Sequence, residues 1–191
     1  QSFGVPEGLS QSTVTSIVTD NDGYIWIGTL NGLNRFDGKE FKHFYADNSA
    51  SGLPSSFIRS LLITEEGDLL VGTDKGLAIY DRNDQSLKFI DVKNEYLNGE
   101  IWSLSNNDFT KEILVGTNKG ILSLNLKNKV LSSEYIEKEY FEVKKSLNIG
   151  DEIFIKSYDG ILYRINGSNK VKIIDNVLDI EKENKTLYIS T

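Results

Sequence analysis

The sequence predicts an all-β fold, built of β-propeller blades that are each a sheet of four antiparallel strands. It is a partial propeller, with about four and a half blades in the chain. Three observations predict this. One motif recurs with a period near forty residues. The apolar runs inside it are of strand length and rich in β-formers. No long helical period appears anywhere.

Aligned on a glycine-threonine step, the copies are WIGTLNGLNRFD at 26–37, LVGTDKGLAIYD at 70–81, LVGTNKGILSLN at 114–125 and FIKSYDGILYRIN at 154–166. A fifth start, LYIST, ends at Thr191. The first glycine falls at Gly28, Gly72 and Gly116, with Lys156 in its place in the fourth copy, so the steps are 44, 44 and 40 residues. Such periods mark propellers, solenoids or arrays.

Each element follows from local chemistry. An inner strand opens every copy: TVTSIVTD (13–20), FIRSLLIT (57–64), EIWSLSN (100–106) and FEVKKSLNI (141–149). Asp22-Gly23 and Glu66-Gly67 then turn the first two chains into their second strands. Those second strands, Tyr24–Ile27 and Leu69–Val71, are nearly continuous apolar runs. A sheet with one wet face would alternate, so both faces are expected to be covered. The next link contains Asn31-Gly32, Lys75-Gly76, Lys119-Gly120 or Asp159-Gly160, where glycine supplies the positive φ of a tight hairpin. Outer runs follow at 40–45 (EFKHFY) and 86–92 (SLKFIDV).

The blades are therefore placed at about 13–44, 57–92, 100–132 and 141–174, with a half-blade at 177–191, all in a single domain, 1–191. A small sheet buried on both faces must stack on copies of itself, and radial stacking does this. Thr191 falls where earlier copies turn into a third strand, so the expectation is a fragment of a larger propeller, or a half-blade completed by another chain.

Composition narrows the function. The chain has 191 residues, 39% hydrophobic and 26% charged, an ordinary range for a folded domain. A net charge of −7 without a basic run argues against direct nucleic-acid contact. The absence of cysteine removes thiol nucleophiles, disulfides and cysteine-bound metal. No apolar run of membrane-spanning length occurs, and no secretory leader is visible, which points to a cytosolic chain or to a trimmed piece of a secreted one.

The stretch at 7–44, EGLSQSTVTSIVTDNDGYIWIGTLNGLNRFDGKEFKHF, resembles the two-component regulator propeller repeat. That pattern is a Gly-Leu-Ser lead-in, a Val-x-x-Ile inner strand, Asp-x-x-Gly, Trp-Ile-Gly-Thr, Gly-Leu and Phe/Tyr-Asp. Here it is Gly8, Leu9, Ser10, Val14, Ile17, Asp20, Gly23, Trp26 to Thr29, Gly32, Leu33, Phe36 and Asp37. The second copy matches well, with Gly52-Leu53-Pro54 before it. The third keeps Gly116-Thr117 and Gly120, and the fourth departs at Lys156-Ser157. The resemblance implies a periplasmic sensor region of a hybrid two-component protein, recognising a polysaccharide-derived oligosaccharide and regulating a downstream histidine kinase and transcription. It implies no cofactor and no enzymatic activity in this chain. Partners would be further propeller repeats of the same protein or a second copy, and a membrane would be met only through other regions of the parent.

The lone histidine, His43, lies in KEFKHFYAD on an outer strand, without a neighbouring nucleophile pattern and without a partner histidine or cysteine for a metal. It reads as an edge histidine. Asp20-Asn21-Asp22-Gly23 fits no calcium loop and reads as an Asx turn. It also departs from the aspartate box of sialidase propellers, with Asn21 where that box has Asp. Arg35, Arg59, Arg82 and Arg164 occupy different repeat positions and form no carboxylate clamp. The expectation is no catalytic residue and no metal site.

Positions that differ between copies at one place in the blade are candidates for recognition. After the Val/Ile anchor of the inner strand come Thr15, Arg59, Trp102 and Lys144. The turns between second and third strands give Asn31, Asp74, Asn118 and Tyr158, and the links around 45–56 and 93–99 lie on the same face. Arginine, tryptophan and tyrosine together suit a sugar, through hydroxyl hydrogen bonds and ring stacking. The ligand-binding candidates are Arg59, Trp102, Lys144, Asn31, Asp74, Asn118 and Tyr158. The competing readings are a protein-interaction scaffold and, further off, a propeller hydrolase or lyase.

Overall fold

The computed structural model describes residues 4–46, 52–90, 97–126, 132–137 and 142–191. After a single 3-10 turn at Val5–Glu7, every regular element among them is a strand. The contacts group the chain into two compact units, Gln1–Ile101 and Trp102–Thr191.

The first unit holds two four-stranded antiparallel sheets in which neighbours in sequence are neighbours in space. Sheet one is β1 (Val14–Thr19), β2 (Ile25–Thr29), β3 (Gly32–Phe36) and β4 (Phe41–Phe44). Sheet two is β5 (Ile58–Ile63), β6 (Leu69–Thr73), β7 (Gly76–Asp81) and β8 (Ser86–Phe89). Their facing sides share a core of Trp26, Leu33, Ile58, Leu61, Leu69, Val71, Ala78, Tyr80 and Leu87. Fully burying such a side chain contributes about 1.5–3 kcal/mol, which is why the meander needs its neighbour.

The second unit holds sheet three, β9 (Ile101–Asn106, whose first residue belongs to the first unit), β10 (Ile113–Thr117), β11 (Gly120–Asn125) and β12 (Ser132–Glu137). Sheet four is β13 (Val143–Ile149), β14 (Glu152–Ser157), β15 (Leu162–Asn166) and β16 (Asn169–Ile174). A two-stranded sheet, β17 (Asp179–Glu183) and β18 (Thr186–Ser190), follows at the expected half-blade. Leu114, Ile121, Val143, Ile153, Ile155 and Ile165 form one core, and Leu147, Phe154, Leu162, Val177 and Ile180 another.

Inner-strand serines bond to the backbone of the next inner strand, Ser16 as acceptor and Ser60 and Ser103 as donors. The Ser16 hydroxyl accepts from Leu61 N at 3.2 Å, and Ser60 donates to the Ile101 carbonyl at 3.3 Å. In the second unit Ser103 donates to the Val143 carbonyl at 3.1 Å. Ser16 and Ser60 are opposite Gly28 and Gly72 in the ladder. A Cβ on Gly28 would sit 2.6 Å from Ile58 Cγ2, and one on Gly116 2.6 Å from Val143 Cγ1. The repeated glycine is therefore a contact surface for the next inner strand.

Trp26 is fully buried, and its indole N–H donates to Asp20 Oδ2 at 2.7 Å. Asp20 Oδ1 meanwhile accepts from Asp22 N and Tyr24 N, both at 3.0 Å, so the expected Asx turn is present and also anchors the tryptophan. Thr64 and Asn107 hold the corresponding turns in the next two copies, Thr64 Oγ1 accepting from Asp68 N at 3.1 Å and Asn107 Oδ1 from Phe109 N at 3.0 Å.

Two expectations are corrected. The third blade does not end at about 132, because its outer strand β12 runs over Ser132–Glu137. The connection before it, at 127–131, lies outside the described residues, as do 91–92 of the second blade and 141 of the fourth. Two-sided cover holds for β6 and β10, buried along their whole length, but not for β2. Ile25 is 36% exposed and Ile17 on β1 is 59% exposed, against 3% and 6% for their counterparts Leu69 and Leu61. Sheet two covers only one side of sheet one.

Candidate functional site

Three of the seven recognition candidates meet in the second unit. Trp102 follows Ile101 in β9, and Lys144 sits in the bulge where the β13–β14 register shifts between Val143 and Lys145. Tyr158 leaves β14 in a longer loop, closed by Ser157 N to the Ile161 carbonyl at 2.9 Å and braced by Tyr158 N to the Glu142 carbonyl at 2.9 Å. The Trp102 and Tyr158 rings lie edge to face, 5.4 Å apart at 61°. The Lys144 ammonium stands 5.6 Å from the Tyr158 centroid. Tyr158 keeps 58% of its surface exposed. The arrangement is an aromatic corner with a cation above it, able to stack on a ring and to donate to oxygen.

Asn118 belongs to the turn after β10, on the strand whose Gly116 faces Ser103. Its Oδ1 is buried without a hydrogen-bond partner.

In the first unit the candidates are engaged differently. Arg59, in the bulge between Ile58 and Ser60, pairs through Nη2 with Glu100 Oε2 at 2.7 Å and covers the Phe57 ring at 4.7 Å. Asp74 has a buried Oδ1 without a hydrogen-bond partner, as does Thr15 at Oγ1. Asn31 is exposed. Its register needs correction: Thr29 pairs with Gly32, Thr73 with Gly76 and Thr117 with Gly120, each across a two-residue turn. Leu30 therefore occupies the place of Asp74 and Asn118, and Asn31 that of Lys75 and Lys119. The error arose from reading the turn by its Asn-Gly step. The actual anchor is Thr29, whose Oγ1 donates to the Gly32 carbonyl at 2.9 Å and accepts from Asn31 N at 3.2 Å. Of the two links, residues 47–51 and 93–96 lie outside the described residues.

The sequence reading passed over Lys156, naming it only as a replaced glycine. It is 4% exposed in β14, opposite Lys145. Burial, and then Lys144, hold its ammonium below the usual lysine range, against a smaller opposing pull from Asp179 and Asp159. The signal was available, since lysine stands where three other copies carry glycine.

The remaining polar candidates are structural. His43 lies on β4 with Nε2 2.7 Å from the Gly8 carbonyl, its ring stacked between Phe41 and Tyr45. Arg35 donates to the Tyr80 hydroxyl at 3.0 Å, Arg82 pairs with Asp22 at 3.5 Å and Arg164 with Glu152 at 3.3 Å. Among the described residues no group of three or more histidines and acids is placed to hold a metal ion, and no helix is long and apolar enough to cross a membrane.

Comparison with known proteins agrees with the repeat. Residues 8–31 match the family described as two component regulator propeller. Histidine kinase P4 of Formosa agariphila is 50% identical over 48 residues, covering 25% of this chain and 3% of that protein. Among solved structures, the extracellular domain of the B. thetaiotaomicron protein BT3049, assigned to the hybrid two component systems, superposes with a TM-score of 0.84 at 20% identity. That match covers 99% of this chain and 29% of the other. The extracellular domain of BT4673 from the same organism, assigned to the one component systems, gives 0.79 at 19% identity over 94% of this chain and 26% of its own. The chain thus spans under a third of these structures and a small fraction of the kinase. The all-β, partial-propeller fold stands on these likenesses, and the chain carries a two-component regulator propeller repeat at residues 8–31.

Proposed function

We propose that this chain is a ligand-sensing module from the extracytoplasmic, periplasmic region of a hybrid two-component protein, and that it has no chemistry of its own. The observation that carries the reading is the regulator repeat at residues 8–31, with its 48-residue kinship to a histidine kinase. The corner of Trp102, Tyr158 and Lys144 supports an oligosaccharide as the ligand, because an exposed aromatic face beside a hydrogen-bond donor suits a sugar ring. Binding there would favour one arrangement of the propeller repeats over another and so bias a downstream kinase and transcription. Further repeats of the parent, or a second copy, are the partners that this reading assigns.

The test is calorimetric titration of the intact sensor with a panel of plant, algal and host oligosaccharides, alongside autophosphorylation of its kinase. Saturable binding by one class, with a matching change in phosphorylation, is expected. Silence across the panel overturns sugar sensing.

A further inference from the structure

Resting on the sensor reading above, we infer that the second unit takes a saccharide bearing a carboxylate or sulfate group, with Lys144 and Lys156 receiving the charge and Tyr158 and Trp102 flanking the ring. The inference starts from a break in the repeat. Sheets one and two set a serine opposite a glycine, Ser16 with Gly28 and Ser60 with Gly72. Sheet four sets Lys145 opposite Lys156. Two small residues that admit the next strand have become two ammonium groups.

Lys145 is neutralised within the fold. Its Nζ lies 3.1 and 3.2 Å from the Asp179 carboxylate and 3.5 Å from Glu181. Lys156 and Lys144 are not: among the described residues neither forms an ion pair with a carboxylate. Asp159, the other acid near Lys156, accepts from Ser157 Oγ. A lysine 4% exposed and crowded by Lys144 and Lys145 is compensated only in part, by the pull of Asp179 and Asp159 without a direct ion pair. An anion placed between Lys144 and Lys156 removes that deficit.

One further feature makes the ligand a sugar acid rather than a bare ion. Lys144 lies over the ring of Tyr158, which is 58% exposed, so an anion at Lys144 brings its own scaffold beside that ring. The chain as a whole is acidic, at −7, so a lysine pair without a direct ion pair is a local exception and not part of a general basic surface.

The experiment titrates the 191-residue chain with trigalacturonate, a sulfated chondroitin disaccharide, maltotriose and inorganic sulfate, in wild type, Lys144→Gln, Lys156→Gly and Tyr158→Ala. Glycine is the residue of the other blades at position 156, and thermal melting checks that each variant folds. If Lys156→Gly does not fold, the exposed Lys144→Gln decides. A charged saccharide is expected to bind, and each lysine variant to weaken it about tenfold, the worth of a charge-assisted hydrogen bond. Tyr158→Ala should weaken it too, and inorganic sulfate should bind far less tightly. The inference is overturned if maltotriose binds as well as the charged saccharides, if the lysine variants bind normally, or if bare sulfate matches the saccharide. Tight maltotriose binding lost in Tyr158→Ala would sink the anionic ligand and leave the sensor reading standing. No binding by any saccharide overturns this inference, while the sensor reading is decided by the titration of the intact sensor.

Discussion

Gly72 offers the sharpest test of how the sheets are held together. Its φ lies outside the left-handed region, so alanine there meets no backbone strain. The obstacle is space. The new Cβ would overlap Ser60 Oγ and lie 2.7 Å from Ile101 Cγ2 and 3.0 Å from Ile101 Cβ. Neither neighbour yields freely: Ile101 is fully buried, and Ser60 is tied to the Ile101 carbonyl. Overpacking of this kind costs about 1–3 kcal/mol. Replacing glycine recovers about 0.4–1 kcal/mol through the stiffer unfolded chain. Gly72→Ala should therefore lose about 1–2 kcal/mol, a drop in Tm of roughly 2–8 °C for a chain of this size. Thermal and urea melts followed by circular dichroism read it directly. The double variant with Ser60→Ala should recover about 0.5–1 kcal/mol relative to additivity, since it removes the nearest obstacle. A neutral or stabilising Gly72→Ala, or strict additivity with Ser60→Ala, would refute the contact-surface account of the repeated glycine.

Two further outcomes follow from the first unit. Asp20→Ala removes one carboxylate that accepts from Asp22 N, Tyr24 N and the buried Trp26 indole. Urea melts should show a loss of about 2–4 kcal/mol with a red-shifted Trp26 emission, and unchanged stability would deny the anchor. Asp81 is held down to about 2, chiefly by the Lys88 side chain and then by the amides of Asn83 and Asp84. Because the folded value is depressed, the stabilisation is complete above the unfolded carboxylate range near pH 4 and is lost as pH falls toward 2. Lys88→Met should move the Asp81 carboxyl midpoint upward in an NMR titration, and an unmoved midpoint would contradict the pairing.

How far the sequence determined this protein can be told from particular residues. The blade was legible because its information is local. The steps from Gly28 to Gly72 to Gly116 set the repeat, and the glycines at 23, 32, 67, 76, 120 and 160 mark turns that do take positive φ. Strand starts were read to within two residues for all four inner strands. The outer strand β12 was missed because Ser132–Glu137 has no continuous apolar run and no flanking glycine. The register of Asn31 was misread because the ordering atom is a threonine hydroxyl, which ordinary turn signals do not include.

The site needed tertiary structure. Trp102, Lys144 and Tyr158 could be named from their places in the repeat, but their contacts exist only because sheets three and four stack. Which charges are neutralised is likewise a matter of distance: Arg59 finds Glu100 and Lys145 finds Asp179, while Lys156 is buried between other lysines. Backbone propensity and turn chemistry act over a few residues, so one sequence displays them. Desolvation and charge compensation depend on what lies across a sheet interface, and only the folded chain decides that.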